Sequence, residues 1–222
     1  MVIKTRTISV SDLTEAGKWR ADLHVHSGSE FKSDRFDLLA IGEIVVESNQ
    51  ATDPAEVNGR FYYIGLEHVE SITGDDNGIE LVTAESVRSR SKVFEEGDIL
   101  YGRLRPYLRK AFYVEGSYKR GLCSTEFVVL KPKSNMILPL FLREILVSDM
   151  VTELVTRMQG GAALPRISSR DLLGIKIPVP PLSYQKECVA RIERARTQRH
   201  ELLQRIKALS KEGRRVVEEV FS

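Results

Sequence analysis

Residues 97–110 read GDILYGRLRPYLRK, and this stretch decides how the middle of the chain folds. Gly97 and Asp98 form a turn dipeptide that leads into a short apolar run typical of a strand. The cations that follow alternate with apolar residues around Pro106; they are Arg103, Arg105, Arg109 and Lys110. Because proline fixes one backbone dihedral angle, the pattern predicts a structured turn that presents basic side chains between two strands.

The sequence on both sides of this stretch predicts a β-rich region whose core is formed by residues far apart in the chain. Runs rich in β-branched and aromatic residues predict strands at 2–10, 42–47, 61–66, 98–101, 110–114 and 126–131. Turn dipeptides at 53–54 and 58–59 and a loop at 74–78 separate some of these runs.

The apolar period then changes to that of helices. Residues 138–158 have the spacing of one or two amphipathic helices, with a glycine pair at 160–161 to end them and a further strand at 175–179. From Leu182 onward there is no proline, and apolar residues recur at alternating spacings of four and three, as in a coiled coil. This seam consists of Cys188, Ile192, Ala195, Leu202, Ile206, Leu209, Val216 and Val220, with interruptions at Arg199 and Gly213.

We therefore expect an α/β (α+β) protein with two parts: a mostly β-rich domain at 1–182 and a long coiled-coil-type helix at 183–222. A helix over 184–221 would extend about 55 Å. At that length we expect its apolar seam to require a partner, and the alternative is a helix that lies across its own domain.

Composition excludes several classes of protein. Of 222 residues, 42% are apolar and 29% are charged, which argues against a disordered chain. No apolar run approaches the roughly 20 residues of a membrane helix, and the first residues lack the pattern of a signal peptide. We expect a cytoplasmic protein. Cys123 and Cys188 lie too far apart for a disulfide scaffold or a thiolate zinc site, and we interpret both as small buried side chains.

The net charge of +2 conceals an uneven distribution. Residues 1–87 carry a balance of −9, whereas residues 88–120 carry +5. A local basic block is what a phosphate-binding surface requires, although a solvated face has the same composition.

One motif points to metal chemistry instead. His24 and His26, two apart on a predicted strand, would point to the same side and resemble the opening motif of amidohydrolase and PHP-type metal-dependent phosphoesterases. Such a site needs further ligands, and the remaining histidines are His68 and His200, the second within the long helix. The alternative is an exposed polar loop or edge strand. No phosphate-binding glycine loop or nucleophile elbow is present, which favours a binding protein without a metal or catalytic site.

Residues 97–110, 123–132 and 159–185, read in order, resemble the target recognition domain and following helix of the specificity subunit of type I restriction–modification enzymes. Residues 61–69 and 2–22 are similar to earlier parts of the same subunit. Members of this family usually carry two recognition domains, each followed by a long helix, and this chain resembles one such half.

The resemblance implies a non-catalytic subunit that recognises one half of a bipartite DNA target. The helix would then serve as a spacer and docking surface for methyltransferase subunits, and two copies would form a homodimer through it. S-adenosylmethionine, ATP and Mg²⁺ would belong to the methyltransferase and restriction subunits, and this chain would bind no cofactor. The rival hypotheses are the phosphoesterase that uses His24 and His26 and a coiled-coil adaptor that has no role on DNA.

Arginine suits phosphate or guanine, and short hydroxyls suit phosphates or base edges. On this basis the candidate DNA-binding residues are Arg88, Arg90, Lys92, Arg103, Arg105, Tyr107, Arg109, Lys110, Lys119, Arg120, Ser124, Thr125 and Arg166. Asp98, Arg103 and Ser124 have a structural alternative, and Glu126 with Arg105 has the alternative of a buried ion pair. We expect base reading at 88–92, 117–120 and 160–166.

Overall fold

The computed structural model describes residues 33–159 and 164–221. The chain divides into two units, and the boundary between them in the sequence falls between Pro180 and Pro181. Within the described ranges, no helix is both long and apolar enough to cross a membrane. The strand predicted at 2–10, the His24 and His26 motif and the glycine pair at 160–161 lie outside the described residues.

Two sheets dominate the first unit. Its strands are β1 (Leu38–Ala40), β2 (Val45–Ser48), β3 (Ala51–Thr52), β4 (Phe61–Ile64), β5 (Leu81–Val82), β6 (Ser91–Glu95), β7 (Ile99–Gly102), β8 (Ala111–Tyr113), β9 (Arg120–Cys123), β10 (Phe127–Pro132) and β11 (Lys176–Pro178). The first sheet has the order β2-β10-β7-β8 and is antiparallel throughout. The second has the order β3-β6-β9-β4-β5, in which β4 and β9 run parallel.

The four-stranded sheet is buried on both faces. Along β7, Ile99 and Tyr101 belong to a core shared with the helices, whereas Leu100 belongs to a core shared with the second sheet. This alternation follows from the two-residue period of a strand. It explains why all four residues of β7 are buried.

Four short helices cover the outer face of this sheet: α1 (Ile41–Ile44), α2 (Pro139–Leu146), α3 (Asp149–Met158) and α4 (Ser169–Leu173). The side chains of Ser148 and Ser168 cap α3 and α4. A separate pair of strands, β1 and β11, joins the beginning of the described domain to its end.

The prediction of a single strand at 42–47 was wrong in its first half, where residues 41–44 form α1. Ile41 and Ile44 are three residues apart, so one helical turn buries both on the same side. The Glu43 carboxylate accepts the Ala40 backbone N–H at 2.6 Å, which closes the start of that turn.

Burial of the two cysteines differs. Cys123 is fully buried in β9, and burial raises the pKa of its thiol to about 12. Cys188 lies on the long helix and is half-buried.

The second unit is one helix, α5 (Leu182–Glu218). Together with the mixed sheets it confirms the predicted fold class. Beyond residue 200 every described side chain is exposed. Leu202, Ile206, Leu209, Val216 and Val220 are each more than half exposed, and Leu203 and Val217 widen the apolar stripe.

Candidate nucleic-acid interface

Many of the predicted DNA-binding residues lie where strands β4, β7 and β9 end, and we refer to this end of the strands as an edge. Gly102 at the end of β7 pairs with Phe127, and the Arg103 N–H donates to the Glu126 carbonyl at 2.9 Å. Ser124, immediately after β9, donates its N–H to the end of β4 at 3.0 Å. We call this group the arginine edge; its members are Arg103, Arg105, Lys110, Ser124 and Thr125.

A strained turn forms the centre of the arginine edge. Residues Pro106–Leu108 form a single 3-10 turn, and the residues on either side of it, Arg105 and Arg109, have left-handed backbones with φ of 49° and 52°. Such values are uncommon outside glycine, so the surrounding structure must hold them in place. The turn predicted around Pro106 is therefore present.

Two neighbouring segments hold this turn. The Arg105 N–H donates to the Pro165 carbonyl at 2.7 Å, and the Ile167 N–H donates to the Arg103 carbonyl at 3.1 Å. From another direction, the Ile72 N–H donates to the Arg109 carbonyl at 3.0 Å. Ile72 also has a positive φ, 67°, so three of these backbone positions are unusual together.

The cations of the turn differ in how far they are neutralised. The Arg109 guanidinium contacts the Asp149 carboxylate at 2.5 Å. The Lys110 ammonium donates to the Leu66 carbonyl at 2.7 Å, and none of the described carboxylates forms an ion pair with it. Arg105 is exposed, and the Nε of Arg103 has no hydrogen-bond partner among the described residues. Arg105 and Lys110 thus supply positive charge for an anionic ligand, and Arg103 adds charge that the nearby Glu126 carboxylate partly balances.

Glu126 pairs with Arg166, and the ion pair anticipated with Arg105 is absent. The Arg166 guanidinium donates to both carboxylate oxygens, with Nη2 to Oε1 at 2.8 Å and Nε to Oε2 at 3.1 Å. These hydrogen bonds lower the pKa of the Glu126 carboxyl. Arg166 can reach Glu126 because an antiparallel bridge beside the turn pairs residue 166 with residue 104. Arg166 therefore positions the 164–167 segment.

Two other polar side chains near the turn, those of Asp98 and Ser124, close turns of their own. The Ser124 hydroxyl accepts the Glu126 N–H at 3.2 Å, whereas Thr125 is exposed. Asp98 accepts the Glu95 N–H at 2.9 Å and lies 3.2 Å from the Lys131 ammonium, while burial raises the pKa of its carboxyl. These contacts agree with the structural alternative for Asp98 and Ser124.

Lys119 and Arg120 lie at the opposite edge, where β9 begins. Lys119 forms an ion pair with Glu96 at 2.5 Å, and Arg120 is in register with Glu95. Since a strand advances about 3.3 Å per residue, four residues of β9 separate them from Ser124 by roughly 10 Å or more. The structure does not bring these two cations together with the arginine edge.

The remaining basic residues approach the arginine edge along β6. Lys92 is in register with Cys123, one residue before Ser124, and Arg88 and Arg90 are exposed just before β6 begins. Tyr107 lies on the strained turn and is 47% exposed.

Sequence reasoning missed Arg143 in α2, which is buried and supports the turn from behind. Its Nε donates to the Ala111 carbonyl at 3.1 Å and its Nη2 to the Ile72 carbonyl at 2.5 Å. The available signal was a pair of adjacent charged residues, Arg143 and Glu144, within the otherwise apolar run Leu140–Leu146.

The metal hypothesis finds no support in the part of the chain that the structure describes. No group of three or more His, Cys, Asp or Glu side chains there could hold an ion. His68 uses its Nδ1 to accept the Gly65 N–H at 3.0 Å.

Comparison with known proteins identifies the class. Residues 37–209 match the model of the type I restriction modification DNA specificity domain, and the chain belongs to this family. It is 30% identical over 131 residues to the type I restriction enzyme EcoDI specificity subunit of Escherichia coli, covering 59% of this chain and 28% of that protein. It is 24% identical over 158 residues to the HindI specificity subunit of Haemophilus influenzae, covering 70% and 30%.

Solved structures agree. The HsdS subunit from Thermoanaerobacter tengcongensis matches with a TM-score of 0.67 and 26% identity, over 80% of this chain and 46% of that one. A chain from a structure of complex assembly and conformational transition in the type I R-M system matches with a TM-score of 0.67 and 26% identity, over 82% and 47%. The chain thus spans about half of the solved relatives and under a third of the curated ones. The family assignment does not support the phosphoesterase or the adaptor.

Proposed function

We propose that this chain reads one half of a bipartite DNA target and directs methyltransferase and restriction subunits to it. The observation that carries the proposal is the family match over 37–209, which includes both the sheets and most of α5. Catalysis then belongs to partner subunits, which bind S-adenosylmethionine, ATP and Mg²⁺, and the complex acts on DNA in the cytoplasm.

The arginine edge supports a DNA-facing role. Arg103, Arg105 and Lys110 retain positive charge next to the hydroxyls of Ser124 and Thr125. Cations of this kind contact phosphates, release counterions and so make affinity fall steeply with salt. The guanidinium of an arginine also suits guanine in the major groove. Lys119 and Arg120 have acidic neighbours, so we expect a smaller contribution from the opposite edge.

Methylation mapping tests this function directly. The chain is co-expressed with its methyltransferase subunit, and modified adenines in the cellular DNA are mapped. We expect a recurring bipartite sequence that disappears when the chain is omitted. Undirected methylation, or the same pattern without this chain, contradicts the proposal.

Matched variants assign the DNA-binding edge. In a salt titration of duplex binding, Arg105→Gln should reduce the salt slope by about 1, whereas Lys119→Gln at the opposite edge should leave it nearly unchanged. A larger effect of Lys119→Gln would place DNA at the other edge.

We further propose that two copies pair through antiparallel α5 helices. Support comes from the apolar seam, of which Leu202, Ile206 and Leu209 are 58%, 58% and 70% exposed. A two-fold dimer reads a palindromic site, and the helix length sets the spacing between its halves.

Sedimentation tests this pairing. The wild-type chain should sediment as a dimer at micromolar concentration, and Leu202→Lys with Leu209→Lys should give a monomer. Gln204→Lys, which lies off the seam, is the control and should remain dimeric. A wild-type chain that stays monomeric, also with DNA and methyltransferase subunit present, refutes the pairing.

A further inference from the structure

Exposed apolar side chains concentrate around the strained turn. In the described part of the first unit, seven large apolar residues are more than a third exposed. Five of them belong to the turn or to segments that contact it: Ile72, Tyr107, Leu108, Met150 and Leu164. We call these five residues the tip patch. A concentration of this kind marks a binding surface.

The tip patch is formed by four parts of the chain, which backbone hydrogen bonds and one ion pair connect to the strained turn. Ile72 bonds to the Arg109 carbonyl, and Leu164 precedes Pro165, whose carbonyl accepts the Arg105 N–H. Met150 follows Asp149, the partner of Arg109, at the start of α3. The five residues of the tip patch therefore all lie on, or next to, segments that contact the strained turn.

Tyr107 and Leu108 lie on the strained turn, and its backbone holds them there. Leu108 donates its N–H to the Arg105 carbonyl at 2.8 Å, and Pro106 is buried beneath the tip. The left-handed residues at 105 and 109 fix the entry and exit of the turn. Tyr107 and Leu108 are 47% and 37% exposed on a turn whose backbone is fixed at both ends.

The charge around the tip indicates a polyanionic partner. Residues 103–110 contain four cations and no carboxylate, and Asp149 neutralises one of the four. An apolar protein surface would have to bury Arg105 and Lys110, with which none of the described carboxylates forms an ion pair, and this is costly. Duplex DNA offers phosphates for these cations and base-pair faces for the apolar tip.

We infer that Tyr107 and Leu108 act as a wedge that enters between adjacent base pairs of the target and unstacks them. Apolar side chains flanked by cations deform duplexes in this manner. In this arrangement Arg103 and Arg105 bind the phosphates beside the opened step. The inference rests on the proposed DNA-reading function and specifies how the chain distorts its target.

Fluorescence of 2-aminopurine tests the wedge. The full chain, without methyltransferase, selects duplexes from a random-sequence pool, and 2-aminopurine then replaces each adenine of a selected duplex in turn. We expect a fluorescence increase at one base step with the wild-type chain. The double variant Tyr107→Ala with Leu108→Ala should lose this signal, bind roughly 10- to 100-fold more weakly and keep its salt slope.

The control is Leu81→Ala, an exposed leucine of β5 away from the tip; it should preserve both signal and affinity. Melting temperatures of both variants equal to that of the wild type show that folding is intact. A double variant with wild-type fluorescence, or a wild-type complex with no unstacked step, overturns the wedge alone. In a separate binding assay with the methyltransferase subunit, a double variant that no longer binds this subunit, while its 2-aminopurine signal is that of the wild type, overturns the wedge in favour of a protein surface. Absence of salt-dependent duplex binding by the wild-type chain, both alone and with its methyltransferase subunit, overturns the proposed function as well.

Discussion

Substitution of Arg143 by methionine should destabilise the domain far more than substitution of an exposed arginine. The Arg143 side chain is 4% exposed and connects α2 to β8 and to the loop that holds the strained turn. Methionine retains much of its aliphatic packing. The change therefore removes the charged hydrogen bonds together with the ion pair between Arg143 and Glu144, whose side chain is 33% exposed.

The magnitude follows from those bonds. Each hydrogen bond from a charged group contributes about 1.5–3 kcal/mol, and two carbonyls lose their donor. Ile72 is 55% exposed, so water can replace one of these bonds. The loss in unfolding free energy should therefore be nearer the lower end, about 3 kcal/mol. For a chain of this size it corresponds to a fall in Tm of roughly 6–12 °C.

Thermal melts followed by far-UV circular dichroism measure this fall. The control is Arg60→Met, because Arg60 also donates to a backbone carbonyl, that of Leu81 at 2.8 Å, but at an exposed site. Its Tm should change by about 2 °C or less. If Arg143→Met melts within 2 °C of the wild type, or no lower than the control, the role assigned to its buried bonds is incorrect.

Glu126→Gln should lower Tm at pH 7 by a margin that shrinks as the pH is reduced. Arg166 lowers the folded-state pKa of Glu126, so this stabilisation is present above the unfolded-state value and disappears as pH falls through the folded-state one; melts between pH 7 and pH 3 that show a constant margin would contradict it. Gly121→Ala should cost about 1–3 kcal/mol in urea unfolding, because an added Cβ lies 2.6 Å from the Phe94 ring and 2.5 Å from a backbone oxygen. A Cβ added at Gly213 would lie in open space. Gly213→Ala should therefore stabilise the helical conformation of α5 by up to about 1 kcal/mol, seen as a stronger helical signal. A weaker helical signal would show that the glycine is required there.

The elements that sequence predicted well are those with a clear apolar period. Strands β7, β8 and β10 and helices α2 and α3 lie within a residue or two of their predicted bounds, whereas α5 begins one residue before the predicted range 183–222 and ends four residues before that range does. Residues 41–44 were misassigned because a single helical turn is too short to display a period. The pairing of β1 with β11 joins residues about 140 positions apart, which no local pattern specifies.

The candidate site was only partly predictable, because the number of charged residues in a segment does not show on which side of the fold each one lies. Arg120 and Ser124 are four residues apart in sequence, yet β9 places them at opposite edges. Glu126 and Arg166 meet across 40 positions, and that pairing depends on the bridge beside the turn. The apolar side chains of the tip patch were also unpredictable as a group, since four separate segments contribute them.

The short pair of β1 and β11 has a consequence for how the domain can be connected. Leu38 lies opposite Pro178, and the Val179 N–H donates to the Asp37 carbonyl at 2.9 Å, so chain entry and chain exit are immediate neighbours. A domain with adjacent ends can be inserted into another polypeptide at a single surface loop without stretching its host. We therefore expect that residues 37–179 can be inserted as a unit into a surface loop of another protein. The two connections to the host would both leave from the pair formed by β1 and β11.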